Sequence, residues 1–274
     1  MLFNPHPLTV AYKFSGQKQL HLLKRLSNTY GIKFIPLESC QDSPEVYPLL
    51  RITKNYFYLE HNGQTLFFHP SMALLRMINI KRGLGDRFLE AAGLAKDDTL
   101  LDATLGLGSD ALIASWAVGE KGKIIALEYS PLIFLLVKEG LERLAAQPLP
   151  RVKNTEKKEA WLELAKASSR IKVLCADHKS YLQTFPDSSV DVIYFDPMFR
   201  VTVKSSSAIK PLKAWSCPDP LTPETIKEAC RVARKRIVLK ERRHGSEFRR
   251  LGFKLLEGSP YSSIGFGIIN LTTS

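Results

Sequence analysis

Residues 99–111 have the sequence TLLDATLGLGSDA, in which a β-rich run leads through a glycine-rich turn into an apolar helical stretch. The small residues of that turn, Gly106 and Gly108, let a backbone approach a ligand at the carboxyl edge of a sheet. β-rich and helical runs then alternate as far as residue 241, which indicates βαβ units and a mostly parallel sheet with helices on both faces. The stretch therefore predicts an α/β fold with a ligand site at this turn.

The elements that follow support this fold class. We predict strands at 99–104, 123–128, 171–177, 190–197 and 236–241, and helices at 110–118, 132–146, 179–184, 223–232 and 245–251. The runs 253–259 and 264–271 have no helix between them and predict an antiparallel hairpin at the sheet edge. A parallel sheet that ends in such a hairpin is typical of the Rossmann-like class I methyltransferase fold.

The chain upstream of the turn predicts a smaller α/β unit. It contains strands at 8–14 and 32–37, a helix at 17–30 and a hairpin around Asn62-Gly63, followed by short helices at 72–80 and 86–92. We expect a small N-terminal α/β region at 1–70 and a larger domain at 71–274. Residues 147–170 are polar and predict an insertion with one exposed helix.

Composition excludes several classes of protein. With 274 residues, 45% of them hydrophobic and 24% charged, the chain falls in the globular range. It has no apolar run near the roughly 20 residues that span a bilayer, and its first residues lack a secretory signal. The four cysteines form no CxxC pair, which predicts neither a zinc site nor a disulfide framework. We expect a soluble cytoplasmic protein that needs no metal and does not contact a membrane.

The net charge of +12 is unevenly distributed. Residues 1–96 carry 12 basic and 6 acidic groups, residues 97–199 carry 12 and 15, and residues 200–254 carry 15 and 5. Two basic regions thus flank an acidic segment. A polyanionic partner such as RNA would be held by those flanks.

The glycine turn has two competing interpretations. Gly106, Gly108 and Ala111 match the G-x-G-x-x-A dinucleotide pattern, so an NAD(P)-dependent oxidoreductase is one alternative. Asp102 favours the other, because a carboxylate there would repel a diphosphate but could receive the ammonium group of S-adenosylmethionine (SAM). Since SAM is cationic at its sulfonium and ammonium groups, an acidic segment suits it.

Three further strands also end in acidic residues. Glu128 is placed to accept both ribose hydroxyls, and Asp177-His178 to contact the adenine. Asp196 ends the fourth strand. Glu128 and Asp177 could instead cap the helices that follow them, and His178 alone could be a surface or capping residue. Because carboxyl ends of parallel strands meet at one edge, we expect these acids to form a single cofactor site.

The segment Asp196-Pro197-Met198-Phe199 resembles the Asp/Asn-Pro-Pro-Phe/Tyr motif of methyltransferases that modify planar amino groups on bases or glutamine. An exocyclic amine is a poor nucleophile because its lone pair is delocalised. The Asp196 carboxylate and the Pro197 carbonyl can accept its two N–H bonds, while the proline has no amide donor that competes. Phe199 offers a ring on which a base can stack, a contact worth about 1–3 kcal/mol.

A narrower resemblance lies in DATLGLGSDALIAS, LEYSP, VIYFDPMF, the Lys204-Ser205 pair and KRIVLK. Over residues 71–240 the chain resembles the bacterial small-subunit ribosomal RNA guanine-N2 methyltransferase family of the RsmJ type. The resemblance implies SAM as cofactor and S-adenosylhomocysteine as product. It implies cofactor contacts at Ser109, Asp110, Glu128, Tyr129, Asp177, His178 and Asp196.

We therefore expect a SAM-dependent N-methyltransferase that acts on guanine N2 in small-subunit ribosomal RNA. The expected RNA surface follows DPMF and the fifth strand, and it comprises Ser205 and the basic residues Lys204, Lys210, Lys213, Arg242, Arg243, Arg249 and Arg250. The run 231–236 has a structural alternative, since cations at a helix end complement the helix dipole. A methyltransferase for a protein amide or small molecule, and an RNA-binding module with an inactive pocket, are the remaining alternatives.

Overall fold

The computed structural model of the chain describes residues 9–14, 18–39, 48–53, 57–61, 63–146, 154–197, 219–258 and 262–271. The N-terminal part forms a five-stranded sheet. Its strands are β1 (Thr9–Phe14), β2 (Lys33–Pro36), β3 (Leu49–Ile52), β4 (Phe57–His61) and β5 (Gln64–Phe67), with helix α1 (Lys18–Tyr30) between β1 and β2. The strand order is β2-β1-β3-β4-β5. Strand β1 is parallel to β2 and β3, and the β3–β4 and β4–β5 pairs are antiparallel. The sequence patterns did not predict β3.

The second sheet has seven strands and carries the glycine turn. Its strands are β6 (Thr99–Asp102), β7 (Lys123–Glu128), β8 (Ile171–Cys175), β9 (Val190–Phe195), β10 (Ala233–Arg242), β11 (Lys254–Leu255) and β12 (Ile264–Asn270). They lie in the order β11-β12-β10-β9-β6-β7-β8. Strands β6 to β10 are parallel, whereas β12 is antiparallel to both β10 and β11. The predicted Rossmann-like fold with a C-terminal antiparallel hairpin is confirmed.

Eight helices accompany this sheet among the described residues. They are α2 (Ser71–Lys81), α3 (Arg87–Ala92), α4 (Ser109–Val118), α5 (Pro131–Ala146), α6 (Thr155–Ser168), α7 (His178–Leu182), α8 (Pro223–Val232) and α9 (Glu247–Arg250). None of the helices in this part of the chain is long and apolar enough to cross a membrane.

Alternate side chains of β9 belong to two different hydrophobic clusters of the core. Val192 and Tyr194 pack in one hydrophobic cluster with α2 to α6, whereas Ile193 and Phe195 pack in the other with α7 to α9. Successive side chains of a strand point to opposite faces, so a strand that is apolar throughout must be covered on both. The helices accordingly lie on both faces of the sheet, as predicted.

Helix α6 is not the exposed insertion that its polar sequence predicted. Ala160, Leu164 and Ala167 are fully buried, and the Ser115 hydroxyl on α4 donates to the Ala167 carbonyl over 2.8 Å. The sequence-based expectation failed because the apolar stripe of α6 is narrow and made largely of alanine.

The N-terminal sheet packs against α5. Tyr30 and Phe134 meet edge to face with ring centroids 5.0 Å apart, and the Arg25 guanidinium donates to Glu139 over 2.8 Å. Residues of β1, β3, β4 and β5 share one buried hydrophobic cluster with α5 and β6. This packing supports the helix that follows Glu128.

Candidate active site

The site lies where the strand order reverses. Strands β7 and β8 continue from β6 to one side, and β9 and β10 lie on the other. Asp102 ends β6, and Asp196 follows directly after β9. Ligands of open α/β sheets bind in the crevice outside the carboxyl ends of the strands at such a switch point.

The glycine turn leads directly into α4 and leaves little room for a side chain at Gly108. Gly106 and Gly108 have φ angles of +53° and +75°, which L side chains rarely adopt. A Cβ at Gly108 would lie 3.2 Å from Val137 Cγ1. The Ser109 hydroxyl that follows is buried and finds no hydrogen-bond partner among the described residues.

Glu128 supports the glycine turn and does not cap α5. Its carboxylate accepts from the Gly106 amide over 3.0 Å and from the Ser130 amide over 2.8 Å. Ser130 precedes α5, and its hydroxyl accepts from Ile133 N over 3.4 Å, so the capping interpretation of Glu128 is wrong. Burial raises the pKa of Glu128 to about 7, against the lowering effect of these amides.

Asp177 does cap a helix. Its carboxylate accepts from Lys179 N over 3.2 Å at the start of α7, so the capping interpretation is correct here. His178 is buried, with its ring 5.8 Å from that of Phe195. Its Nε2 has no hydrogen-bond partner within the described part of the chain. Tyr129, after β7, is 42% exposed.

Asp196 is held by a group in the turn after β6 and by a group on β10. Its backbone N–H donates to Thr104 Oγ over 2.6 Å, and its Oδ2 accepts from Lys240 Nζ over 2.6 Å. Pro197 follows it and supplies a carbonyl without an N–H. Phe199 lies outside the described residues.

Asp110 is the centre of a charged network. Its Oδ1 accepts from Arg76 Nη1 over 2.5 Å. Its Oδ2 accepts from the Tyr194 hydroxyl over 2.8 Å and from Lys240 Nζ over 3.3 Å. Burial alone would raise the pKa of Asp110, but the charges of Lys240 and Arg76 outweigh it and lower this pKa.

The edge holds more acidic than basic side chains. Burial, with the nearby charge of Asp110, raises the pKa of Asp102 well above its usual value. Burial also raises the pKa of Asp196, against the opposing effect of Lys240. Burial alone would lower the pKa of Lys240, yet Asp110 and Asp196 raise it, so this lysine is charged. A cationic ligand would favour the ionised forms of Asp102 and Asp196.

Sequence patterns missed four members of this network: Arg76, Thr104, Tyr194 and Lys240. Thr104 stands inside the quoted DAT segment, and Tyr194 lies two residues before Asp196. Lys240 ends the quoted KRIVLK segment and lies near the end of a predicted parallel strand, but neither feature assigned it a role in the site. Nothing in its own sequence neighbourhood connects Arg76, on α2, with the site.

The predicted RNA-binding cations fall into three groups. Arg242 and Arg243 lie at the carboxyl end of β10, the same sheet edge as Asp196, and Arg243 Nη1 donates to the Gly258 carbonyl over 2.8 Å. Arg249 and Arg250 lie on α9, where Arg250 donates to Glu247 over 2.5 Å. Residues 204, 205, 210 and 213 lie outside the described part of the chain.

The basic run 231–236 serves the fold. Arg231 donates to Asp187 over 2.5 Å, Arg234 to Asp191 over 2.8 Å and Lys235 to Asp98 over 2.5 Å. These pairs lie at the amino end of β10, away from Lys240. Arg231 lies in the last turn of α8, as the helix-dipole interpretation requires, whereas Arg234 and Lys235 lie on β10 and have a structural role through ion pairs instead.

The residues present fit SAM. Ser109 and His178 each leave a buried polar atom without a partner among the described residues. Gly106 and Gly108, both with positive φ, leave the turn before α4 without side chains at these two positions. Within the described ranges, no group of three or more His, Cys, Asp or Glu side chains could hold a metal ion.

The strand order, the terminal hairpin and this acidic switch point define a class I methyltransferase. The chain belongs to the family of SAM-dependent methyltransferases, whose family model matches residues 67–250. SAM is therefore its cofactor, and the dinucleotide alternative is wrong.

Individual relatives show how far the similarity extends. YpiP of Bacillus subtilis is 40% identical over 214 residues, covering 76% of this chain and 77% of that protein. Ribosomal RNA small subunit methyltransferase J of Hahella chejuensis is 33% identical over 164 residues, covering 58% of this chain and 54% of that protein. The chain thus spans about half the length of this ribosomal RNA methyltransferase.

Among solved structures, a SAM-dependent methyltransferase from Neisseria gonorrhoeae matches with a TM-score of 0.62. It is 17% identical, and the match covers 96% of this chain and 95% of that one. At this level of identity, the match shows a common fold.

Proposed function

We propose that this methyltransferase transfers the methyl group of SAM to an exocyclic amino group of an RNA base, with guanine N2 of small-subunit ribosomal RNA as the target. The observation that carries the proposal is the Asp196-Pro197 pair at the switch point. Its carboxylate and carbonyl form an acceptor pair for the two N–H bonds of a planar amine. Similarity to proteins named ribosomal RNA small subunit methyltransferase J supports the choice of RNA.

The cofactor would be held by the carboxyl edge of β6, β7 and β8. Asp102 would receive the ammonium group, Glu128 the ribose hydroxyls, and Asp177 with His178 the adenine. The cofactor would also lie against Gly106, Gly108 and Ser109. Asp110 would lie behind these residues, and Tyr129 beside Glu128. SAM, when bound there, supplies an electrophilic methyl group on a sulfonium sulfur.

The chain's own residues would make the amine reactive. Asp196 and Pro197 accept its N–H bonds, which orients the nitrogen and localises its lone pair. The methyl group would pass from the sulfur to the nitrogen, and Asp196 would take up the proton that the nitrogen then loses and pass it to water. Most of the rate would come from positioning and from this preorganised carboxylate.

The RNA would be held beyond the site by basic residues. Arg242 and Arg243 lie at the same sheet edge as Asp196, and the residues predicted from sequence are Lys204, Ser205, Lys210 and Lys213. A base in a loop, or flipped from its stack, would enter above Asp196 and rest on Phe199. Unlike a small molecule, such a substrate would make use of the basic flanks.

The proposal is tested with methyl-labelled SAM and small ribosomal subunits from cells that lack the protein. We expect label in the small-subunit RNA, recovered as N2-methylguanosine after digestion to nucleosides. Asp196→Asn should abolish transfer with a smaller effect on SAM affinity. Asp187→Asn, which alters a surface ion pair with Arg231, is the matched control and should retain activity. Label in protein, or in a different nucleoside, would contradict the proposed substrate.

A further inference from the structure

Five side chains of alternating charge form a continuous chain at the site. They are, in spatial order, Asp196, Lys240, Asp110, Arg76 and Asp86. Lys240 Nζ lies 2.6 Å from Asp196 Oδ2 and 3.3 Å from Asp110 Oδ2. Arg76 lies 2.5 Å from the other Asp110 oxygen and 2.7 Å from Asp86 Oδ2. The chain connects the ends of β9 and β10 with α4, α2 and the N-cap of α3.

We propose, on the basis of the function proposed above, that Lys240 is a positioning residue for methyl transfer. Its ammonium group holds the Asp196 carboxylate in the ionised form that accepts N–H bonds, and fixes that carboxylate for the incoming amine. Asp110 and Arg76 hold Lys240 in turn.

Strand register brings Lys240 to this place. Leu239 of β10 pairs with Phe195 of β9, so Lys240 lies next to Asp196 on the adjacent parallel strand. Residues in register on neighbouring strands project from the same face of a sheet. Asp102 and Tyr194 are likewise in register on β6 and β9, two positions before Asp196, and so share that face.

Among the described residues, Lys240 is the cation in contact with Asp196. Within that part of the chain, the charged and titratable groups that act on Asp196 are Lys240 and Glu241 on β10, Asp110 on α4, Arg76 on α2, Asp102 on β6 and Tyr194 on β9. Lys240 and Arg76 are the two cations in this set, and Arg76 donates to Asp110 and Asp86. The other members are acidic or neutral and favour a protonated Asp196.

Loss of Lys240 would therefore change what Asp196 can do. A protonated carboxyl group donates through its O–H and loses acceptor capacity, so it no longer accepts both the amine bond and the product proton. An adjacent opposite charge shifts a carboxyl pKa by about 1–3 units. The acid limb of the pH–rate profile should move accordingly.

The experiment compares Lys240→Met, Lys240→Gln and Lys240→Arg with Lys235→Met. Lys235 is the matched control, since it lies on the same strand and forms ion pairs with Asp98 and Asp191 at the other end. We measure kcat and KM for SAM and for small ribosomal subunits between pH 5.5 and 9. Thermal unfolding and SAM calorimetry establish that each variant is folded. Lys240→Gln keeps the test valid if Lys240→Met does not fold.

We expect Lys240→Met and Lys240→Gln to lower kcat at least tenfold at neutral pH, with both KM values within about twofold of wild type. Their acid limb should move about one pH unit or more toward alkaline pH, so that raising the pH restores part of the activity. In Lys240→Arg, which keeps a cation, the acid limb of the pH–rate profile should lie closer to its wild-type position. Lys235→Met should lower stability and leave the limb in place.

A second readout does not depend on the RNA substrate. The carboxyl carbon of Asp196, assigned in ¹³C-aspartate NMR spectra by comparison with Asp196→Asn, should titrate at higher pH in Lys240→Met than in wild type. An unchanged midpoint would overturn the role of Lys240, as would an unmoved acid limb with only a loss of stability. If wild type does not methylate the subunits while the midpoint moves, the proposed substrate fails and the role of Lys240 stands.

Discussion

Thr104 and Asp196 are 92 positions apart in the sequence, and the Asp196 N–H donates to the Thr104 hydroxyl oxygen over 2.6 Å. The bond joins the turn after β6 to the end of β9, across the point where the strand order reverses. The loop that carries the acceptor pair for the amine is thus tied to the glycine turn that would hold the cofactor. The proposed cofactor site and the proposed amine site are therefore joined by a direct hydrogen bond.

Replacing Thr104 by valine should weaken this support. Thr104→Val leaves the Asp196 N–H without its acceptor, which costs about 1–3 kcal/mol for a buried donor. We expect a lower free energy of unfolding and a lower kcat, as measured by denaturant titration and by methyl transfer. Thr104→Ser keeps the hydroxyl and should recover most of both. Equal losses in the two variants would contradict a role for the hydroxyl group.

SAM affinity should depend on pH through Glu128. Burial raises the pKa of this carboxyl to about 7, so it is protonated in the free protein at lower pH. Two ribose hydroxyls need the ionised form as acceptor, and we expect affinity to rise with pH through about 7. Calorimetry across this range should show the rise in wild type and a flatter dependence in Glu128→Gln. A wild-type affinity that is independent of pH would contradict the assignment.

The same carboxyl should affect stability with the opposite sign. The ordinary pKa of a glutamate side chain is 4.5. Between that pH and about pH 7, the folded protein binds a proton at Glu128 that the unfolded chain has lost. The contribution of this group therefore favours folding at low pH and is lost as the pH rises through about 7. Because the amide of Glu128→Gln does not titrate, thermal unfolding should show wild type losing stability relative to this variant as the pH rises over this range.

Gly108→Ala should impair both folding and cofactor binding. Gly108 has a φ angle of +75°, and its Cβ would approach Val137 Cγ1 to 3.2 Å. The left-handed conformation costs a non-glycine residue about 1–2 kcal/mol. Gly252→Ala is the matched control, because Gly252 has φ +77° and nothing within 4 Å of a Cβ. We expect both variants to lose stability and only Gly108→Ala to lose SAM affinity in calorimetry.

Gly140→Ala should loosen the N-terminal sheet. Alanine is favoured over glycine inside a helix by about 1 kcal/mol, but its Cβ would clash with the Phe68 ring. Overpacking of this kind costs about 1–3 kcal/mol, so we expect a net loss of stability in thermal unfolding. Phe68→Leu should partly rescue the loss in a double-mutant cycle. Simple additivity of the two changes would argue against the contact.

Substitutions of the predicted RNA-binding lysines and of the cations paired within the fold should affect the salt dependence of RNA binding differently. Alanine at Lys204, Lys210 and Lys213 should weaken RNA binding and reduce the slope of log affinity against log salt. Arg234→Met and Lys235→Met remove cations that are paired within the fold, and should lower stability while leaving that slope unchanged. Binding titrations at several salt concentrations, with SAM calorimetry as a check, make the comparison. An identical slope for all variants would place the RNA elsewhere.

Much of the fold and part of the site could be predicted from the sequence. The alternation of β-rich and helical runs predicted a parallel sheet, and the strand ends at Asp102, Glu128 and Asp196 then had to meet at one edge. The sequence was less decisive for an acidic residue that could either bind the cofactor or cap a helix. Asp177 caps a helix as its position before α7 allowed, whereas Glu128 leaves capping to Ser130.

The chain's fold class and the edge at which its acids gather follow from the sequence alone, because hydrophobic periodicity is a local property. The contacts of Lys240 with Asp196 and of Arg76 with Asp110 are visible only in the folded chain, as are the ion pairs of Arg231, Arg234 and Lys235. Those contacts depend on strand order and register, which are set by how two buried faces pack across residues far apart in the chain. The ion partners of a lysine on β10 follow from that packing and from no local pattern.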